Sequence, residues 1–139
     1  MREYFTNMAA FKKRYHSAVI YHRRAKQFAD ERQPLIVIFD VASIAVENYL
    51  IALCEFYKID PRIHNYQALI GAVEQISAIT IPLGIIEQVK ALDEAYGICS
   101  VENYHRKTEF TNDEIGQVLY LCHYFNELSE QNIILGIKS

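Results

Sequence analysis

Glycine and proline are scarce in this chain, five and three among 139 residues, which excludes a disordered segment and a turn-rich β protein. Long regular elements remain. Cysteine is equally sparse: Cys54, Cys99 and Cys122 are odd in number and lack C-x-x-C spacing, which argues against a disulfide framework or a zinc ribbon and for reduced, mostly buried thiols. No Gly-rich phosphate loop, G-x-S-x-G turn or H-E-x-x-H pair is present, so neither a cradled nucleotide, a serine nucleophile nor a zincin centre is encoded. The N-terminus, MREYFTNMAAFKKRYH, has no apolar core before a small-residue cleavage site and does not read as a signal peptide.

A long uncharged run is lacking too. The most apolar stretch, residues 34–57 (PLIVIFDVASIAVENYLIALCEFY), approaches the about 20 apolar residues that span a bilayer, but Asp40, Glu47 and Glu55 interrupt it. Each carboxylate costs roughly 2.5 to 3.5 kcal/mol at a bilayer centre. The stretch therefore reads as the central helix of a soluble bundle, and the expectation is a cytoplasmic protein with no membrane contact.

What the chain does have is charge asymmetry and helical periodicity. Within residues 1–33, Arg2, Lys12, Lys13, Arg14, Arg23, Arg24, Lys26 and Arg32 face only Glu3, Asp30 and Glu31, a net +5, so the remainder carries −8 of the total −3. A basic first helix lies ahead of an acidic body. Either it complements that body, in its own fold or in a dimer partner, or it is a phosphate-binding surface in which KKRY (12–15) and YHRR (21–24) interleave cations with aromatics.

Tyr4, Met8, Phe11, Tyr15, Ala18, His22, Ala25 and Ala29 alternate at four- and three-residue spacing, predicting a helix over 4–30. Pro34 opens a second helix that reaches Lys58, and Pro61 turns the chain after it. Leu69, Ile70, Val73 and Ile76 predict a third helix of about four turns, stopping near Thr80 and Pro82. Leu83, Ile86, Val89, Leu92 and Tyr96 line a fourth, which Gly97 is placed to end. After a connection over 97–110, Thr111 and Glu114 form a capping-box signature before the stripe Ile115, Val118, Cys122 and Phe125. The sum is a single domain over 1–139, an all-α, up-and-down antiparallel four-helix bundle with an additional short helix.

Asp40, Ser43, Glu47 and Glu55 share one sector of the second helix, and buried carboxylates need partners. The expected partners are cations of the first helix; the alternative is a charged groove. A di-metal carboxylate centre requires paired E-x-x-H motifs, and one alone exists, Glu102 to His105, in the connection. His16, His22, His64 and His123 have no metal spacing, and His22 on the first seam reads as a packing residue. Neither metal nor cofactor is expected. The connection 100–110 concentrates Tyr104, His105, Arg106 and Lys107, a phenol, an imidazole and two cations suited to a phosphate or a base.

The run ASIAVENYLIALCEFY, followed by His64 and Leu69 in HNYQALI, resembles the HEPN family (higher eukaryotes and prokaryotes nucleotide-binding). The resemblance implies a four- or five-helix bundle that often dimerises, with Glu47 matching the helix 2 Glu and His64 the His that opens the next helix. Ribonuclease members carry an Arg followed by a His after four to six residues; none of the seven arginines here has one, so catalysis is not implied. The Lys expected shortly after Glu47 is absent as well. What the resemblance implies is a non-catalytic, homodimeric binding module for a nucleotide or RNA, or the partner of a nucleotidyltransferase in a toxin and antitoxin pair, with Tyr104, His105, Arg106, Lys107, His64 and Glu47 as candidate binding residues. The competing expectation is a structural or interaction protein that forms a helical homodimer and binds no small ligand.

Overall fold

The central helix of the molecule is Leu35–Phe56, capped by Pro34 and Tyr57. The structure is a computed structural model that describes residues 7–97 and 106–134. Five α-helices follow in order: α1 Met8–Asp30, α2 Leu35–Phe56, α3 Tyr66–Glu74, α4 Leu83–Ala95 and α5 Asn112–Ser129, the last running into a single π turn, Glu130–Ile134. Expected helix residues 4–6, Cys99 and the Glu102 to His105 motif lie outside the described residues.

α2 is buried along most of its length because its neighbours cover three sides. α1 packs along it in the opposite direction, α5 lies against its N-terminal two-thirds, and α3 covers a third side. Ala18 and Ala25 on α1 and Ala42, Ala45 and Ala52 on α2 are all fully buried. Side chains this small let backbones pack closely, while Phe11, Tyr49, Leu50, Leu53, Leu69 and Phe125 fill the remaining volume. By length and composition α2 could cross a membrane; 61% of its most apolar window is buried inside the bundle.

Hydrogen bonds between side chains fix the helix directions. Arg14 meets Glu55 and His22 meets Tyr49, so α1 and α2 are antiparallel. Phe39 stacks on Phe110, and Cys122 Sγ donates to the Ala42 carbonyl, so α5 runs parallel to α2. Tyr96, just past α4, reaches Asp40 near the start of α2, so α4 runs the other way. Thus α1, α2, α4 and α5 alternate in direction, with α3 inserted between α2 and α4.

The helix starts are chemically explicit. Asn7 accepts from the Ala10 N–H, Asn65 from Ala68, and Thr111 and Glu114 form the expected capping box at α5. α3 gains a second cap from elsewhere in the chain. Asp93 of α4, 1% exposed, accepts from the N–H groups of Tyr66 and Gln67 at 2.9 Å each, so a buried carboxylate and the positive end of a helix satisfy one another.

α3 is shorter than its periodicity predicts. It stops at Glu74 rather than near Thr80, spanning nine residues. The segment beyond is rich in β-branched residues, Ile76, Ile79, Thr80 and Ile81, which lose side-chain freedom in a helix. Ile76 and Ile79 remain buried through isolated turns, Ile76 N to the Val73 carbonyl and Ile79 N to the Ile76 carbonyl. Burial, rather than helix continuation, produced the apolar spacing.

Candidate functional site

The polar sector of α2 is divided among three sets of partners. At its N-terminal end Asp40 accepts from the Tyr96 hydroxyl at 3.0 Å and pairs with Arg106, whose guanidinium lies over the Tyr96 ring with Cζ 5.0 Å from the centroid. Two turns on, Glu47 is half-buried and makes no hydrogen bond or ion pair among the described residues. At the far end Glu55 pairs with Arg14 at 3.2 Å. The expectation that first-helix cations satisfy this sector holds at Glu55; Asp40 is satisfied instead from the 106–110 segment. Ser43 differs again: its carbonyl accepts the Tyr66 hydroxyl, while its own Oγ is buried without a hydrogen-bond partner.

The candidate binding residues therefore fall in two places. Arg106 and Lys107 stand together at the start of α2 and α5. Glu47 and His64 form the other cluster, farther along α2; Tyr104 and His105 lie outside the described residues. Burial pushes the Glu47 carboxyl above the ordinary value, and the charges of His64 and Arg14 act against that rise. His64 and Arg14 line a groove of about 390 Å³ with Ile51, Cys54 and Glu55. Ile51 lies one turn beyond Glu47. The single polar groove read from helical spacing is thus two regions, because Asp40 and Glu47 are about 10 Å apart along the axis.

The Arg106 cluster is held by backbone as well as side chains. Lys107 N–H donates to the Ala95 carbonyl at 2.8 Å, tying the segment to the end of α4. The Lys107 ammonium pairs with Glu114 and lies 5.3 Å from the Phe110 ring centroid, and Phe110 stacks on Phe39 at 4.2 Å. The bond from Lys107 holds the Glu114 carboxyl below its ordinary value, while the bond to Asp40 raises Arg106. Both cations are neutralised locally.

Beneath Lys107 and Phe110 a groove of about 260 Å³ opens between α4 and α5, with Phe39, Leu92, Val118 and Gln88 among its walls. Gln88 Oε1 is buried and accepts no hydrogen bond. A volume of this size is at the small end of ligand pockets, which run from roughly 300 Å³. Aromatic and aliphatic walls and an amide with an unused acceptor suit a planar heterocycle; the charged lining is Lys107 with Glu94 and Glu114, and Arg106 stands outside it over Tyr96.

Residues that the sequence did not single out for this site are Tyr96, Phe39, Phe110 and Gln88. Tyr96 and Phe39 read simply as apolar helix positions, and only the fold brings them against the loop cations. His22 is a packing residue, as its place on the seam implied: its Nδ1 is 2.9 Å from the Tyr49 hydroxyl. Cys54 and Cys122 are buried, and burial pushes both thiols up to about 12, which leaves them unreactive. Among the described residues no group of three or more His, Cys, Asp or Glu could hold a metal ion. No protein-family model matches the chain, and no curated protein or solved structure matches it significantly.

Proposed function

We propose that the protein is a non-catalytic helical module that binds a nucleotide or the end of a nucleic acid in the α4–α5 groove, as a companion of a nucleotidyltransferase in a toxin and antitoxin pair. The observation that carries this reading is the buried, unpaired Gln88 Oε1 in a groove with an aromatic wall and Lys107 at its rim. A buried acceptor without a donor costs roughly 1 to 3 kcal/mol, and the exocyclic N–H of a base recovers that cost. The terminal amide torsion of Gln is broad, so a small rotation presents the acceptor to the groove. A phosphate then exchanges with Glu114 on Lys107. That pair is at least one-third exposed, and such pairs contribute about 0 to 1 kcal/mol, so the exchange is inexpensive.

Calorimetric titration of purine and pyrimidine mononucleotides into the wild type and two variants tests this. Lys107→Ala stays folded and loses about tenfold in affinity, the effect of one charge-assisted bond. Gln88→Leu keeps or raises the melting temperature, because it removes an unsatisfied buried group, yet also binds about tenfold more weakly. Absence of binding by the wild type at millimolar nucleotide, or undiminished binding by Gln88→Leu, overturns the assignment.

A second reading, a helical homodimer with no small ligand, is favoured by the outer face of α2. Val37 and Ile44, seven residues apart, are 37% and 36% exposed, and the half-buried Val41 lies between them. A heptad-spaced apolar strip on the outside of a bundle is the surface that a second copy would cover. The two readings are compatible, since this strip and the α4–α5 groove lie on different sides of the molecule.

A further inference from the structure

The basic character of the first helix is not consumed by the fold. Arg14 pairs with Glu55, but Lys12, Lys13, Arg23, Arg24 and Lys26 are exposed, and none of the five forms an ion pair among the described residues. Lys12, Arg23 and Lys26 are eleven and three residues apart, which puts them on the same side of α1. That side borders α5 rather than the α2 interface.

Two grooves meet along this border. One, about 440 Å³, is lined by Phe11, Lys12, Tyr15, His16, Val19 and Ile134. The other, about 410 Å³, is lined by Tyr15, Val19, His22, Arg23, Lys26 and Glu130, with Asn126 behind them. They share Tyr15 and Val19, so they form one trough, with an apolar and aromatic floor and cations along its α1 bank. From Lys12 to Lys26 the bank extends about 21 Å. Glu130 sits on the opposite bank and confines an incoming polyanion to the α1 side.

These features discriminate among polyanions. An anionic bilayer is engaged by a convex face with apolar residues to insert, whereas the outward face of α1 offers Ile20 alone among large apolar side chains and the cations border a concavity. An acidic protein surface would use the cations and leave the aromatic floor idle. A single nucleic-acid strand uses both, with phosphates along the basic bank and bases against the floor. We propose that the α1–α5 trough binds single-stranded nucleic acid, its phosphates on Lys12, Arg23 and Lys26 and its bases over Tyr15 and Val19. The site is separate from the α4–α5 groove and does not depend on a nucleotide being bound there. About 21 Å of cations corresponds to the lower end of the roughly 4 to 16 nucleotides that a single-strand-binding groove engages.

Fluorescence anisotropy with a labelled 12-nucleotide single strand of mixed sequence tests the proposal, using the full chain. Each phosphate contact to a single strand contributes a slope of about −0.7 in log affinity against log salt, so three contacts give about −2. The triple variant Lys12→Gln, Arg23→Gln, Lys26→Gln abolishes that slope and binds about 100-fold more weakly in 0.1 M salt. All three positions are exposed, and an unchanged thermal melt confirms that the variant is folded. Mononucleotide titration of the wild type, which reads the α4–α5 groove alone, is run in parallel, so failure here and failure of the nucleotide groove are read separately. Three outcomes overturn the proposal: no strand binding at low salt, undiminished binding by the triple variant, or equal affinity for a duplex, which cannot lay bases on the floor. Binding to phosphatidylserine vesicles in place of the strand, or salt-sensitive self-association through the same lysines, would likewise transfer the surface to another partner and overturn it.

Discussion

Two tyrosines from two helices meet at a single amide on a third. Asn126 Nδ2 donates to Tyr15 Oη at 3.0 Å and to Tyr49 Oη at 3.1 Å, and Tyr49 lies 2.9 Å from His22 Nδ1. With its oxygen accepting from Asn126, Tyr49 has its proton available for His22, which holds the imidazole neutral with its own proton on Nε2. Burial first, then the charges of Lys26 and His123, lower the His22 pKa from 6.5 to about 4. The folded value lies below the unfolded one, so between those limits the unfolded chain binds more protons. The His22 contribution to stability is therefore flat above about pH 7 and is lost as pH drops from 6.5 through 4. Because the imidazole is half-exposed, the loss is about 1 kcal/mol rather than the full equivalent of the shift. Urea midpoints at pH 7.5 and 4.5 check this: His22→Gln shows a smaller fall than wild type, and an equal fall refutes the assignment. The seam spacing placed His22 against the core, but its partner on α2 and the amide on α5 are 27 and 104 residues away, beyond any local pattern.

Helix endings show what local sequence conveys and what it conceals. Gly97 has φ 71° and its N–H donates to the Glu94 carbonyl, the left-handed ending that a glycine after an apolar stripe announces. α1 and α2 end the same way without glycine. Arg32 (φ 57°) donates to Ala29 while Gln33 donates to Phe28, and Lys58 (φ 56°) donates to Glu55 while Ile59 donates to Cys54. A residue with a Cβ in this conformation costs roughly 1 to 2 kcal/mol. Arg32→Gly relieves that strain and stabilises the protein by about 1 kcal/mol net of added unfolded-chain entropy, seen as a higher denaturation midpoint with an unchanged m-value. A lower midpoint would mean that the Arg32 side chain contributes more than its backbone conformation costs. The same blind spot shortened α3: helical spacing at Ile76 was visible in the sequence, but not that turns would take over the burial.

At the scale of the molecule, Val37 and Ile44 leave an apolar strip exposed on α2. Light scattering checks the homodimer: the wild type gives twice the 16.1 kDa chain mass, and Val37→Glu with Ile44→Glu gives a monomer that still melts cooperatively. A wild-type monomer at all concentrations would leave the strip to another partner. Periodicity, caps and the scarcity of glycine and proline sufficed to determine an all-α chain of five helices with residues 34–57 at its centre, because burying an apolar face demands the 3.6-residue repeat and the repeat is written locally. Local spacing also grouped Asp40, Glu47 and Glu55 on that central helix. Only the tertiary structure decided that they serve different ends, Asp40 with Arg106, Glu55 with Arg14 and Glu47 with neither, since the choice of counter-charge is made by segments far apart in sequence. It also placed Lys12, Arg23 and Lys26 of α1 along a trough, while Arg14 pairs with the acidic body. Periodicity specifies which face of a helix is buried, but the neighbour met by each remaining charge is settled by packing between helices.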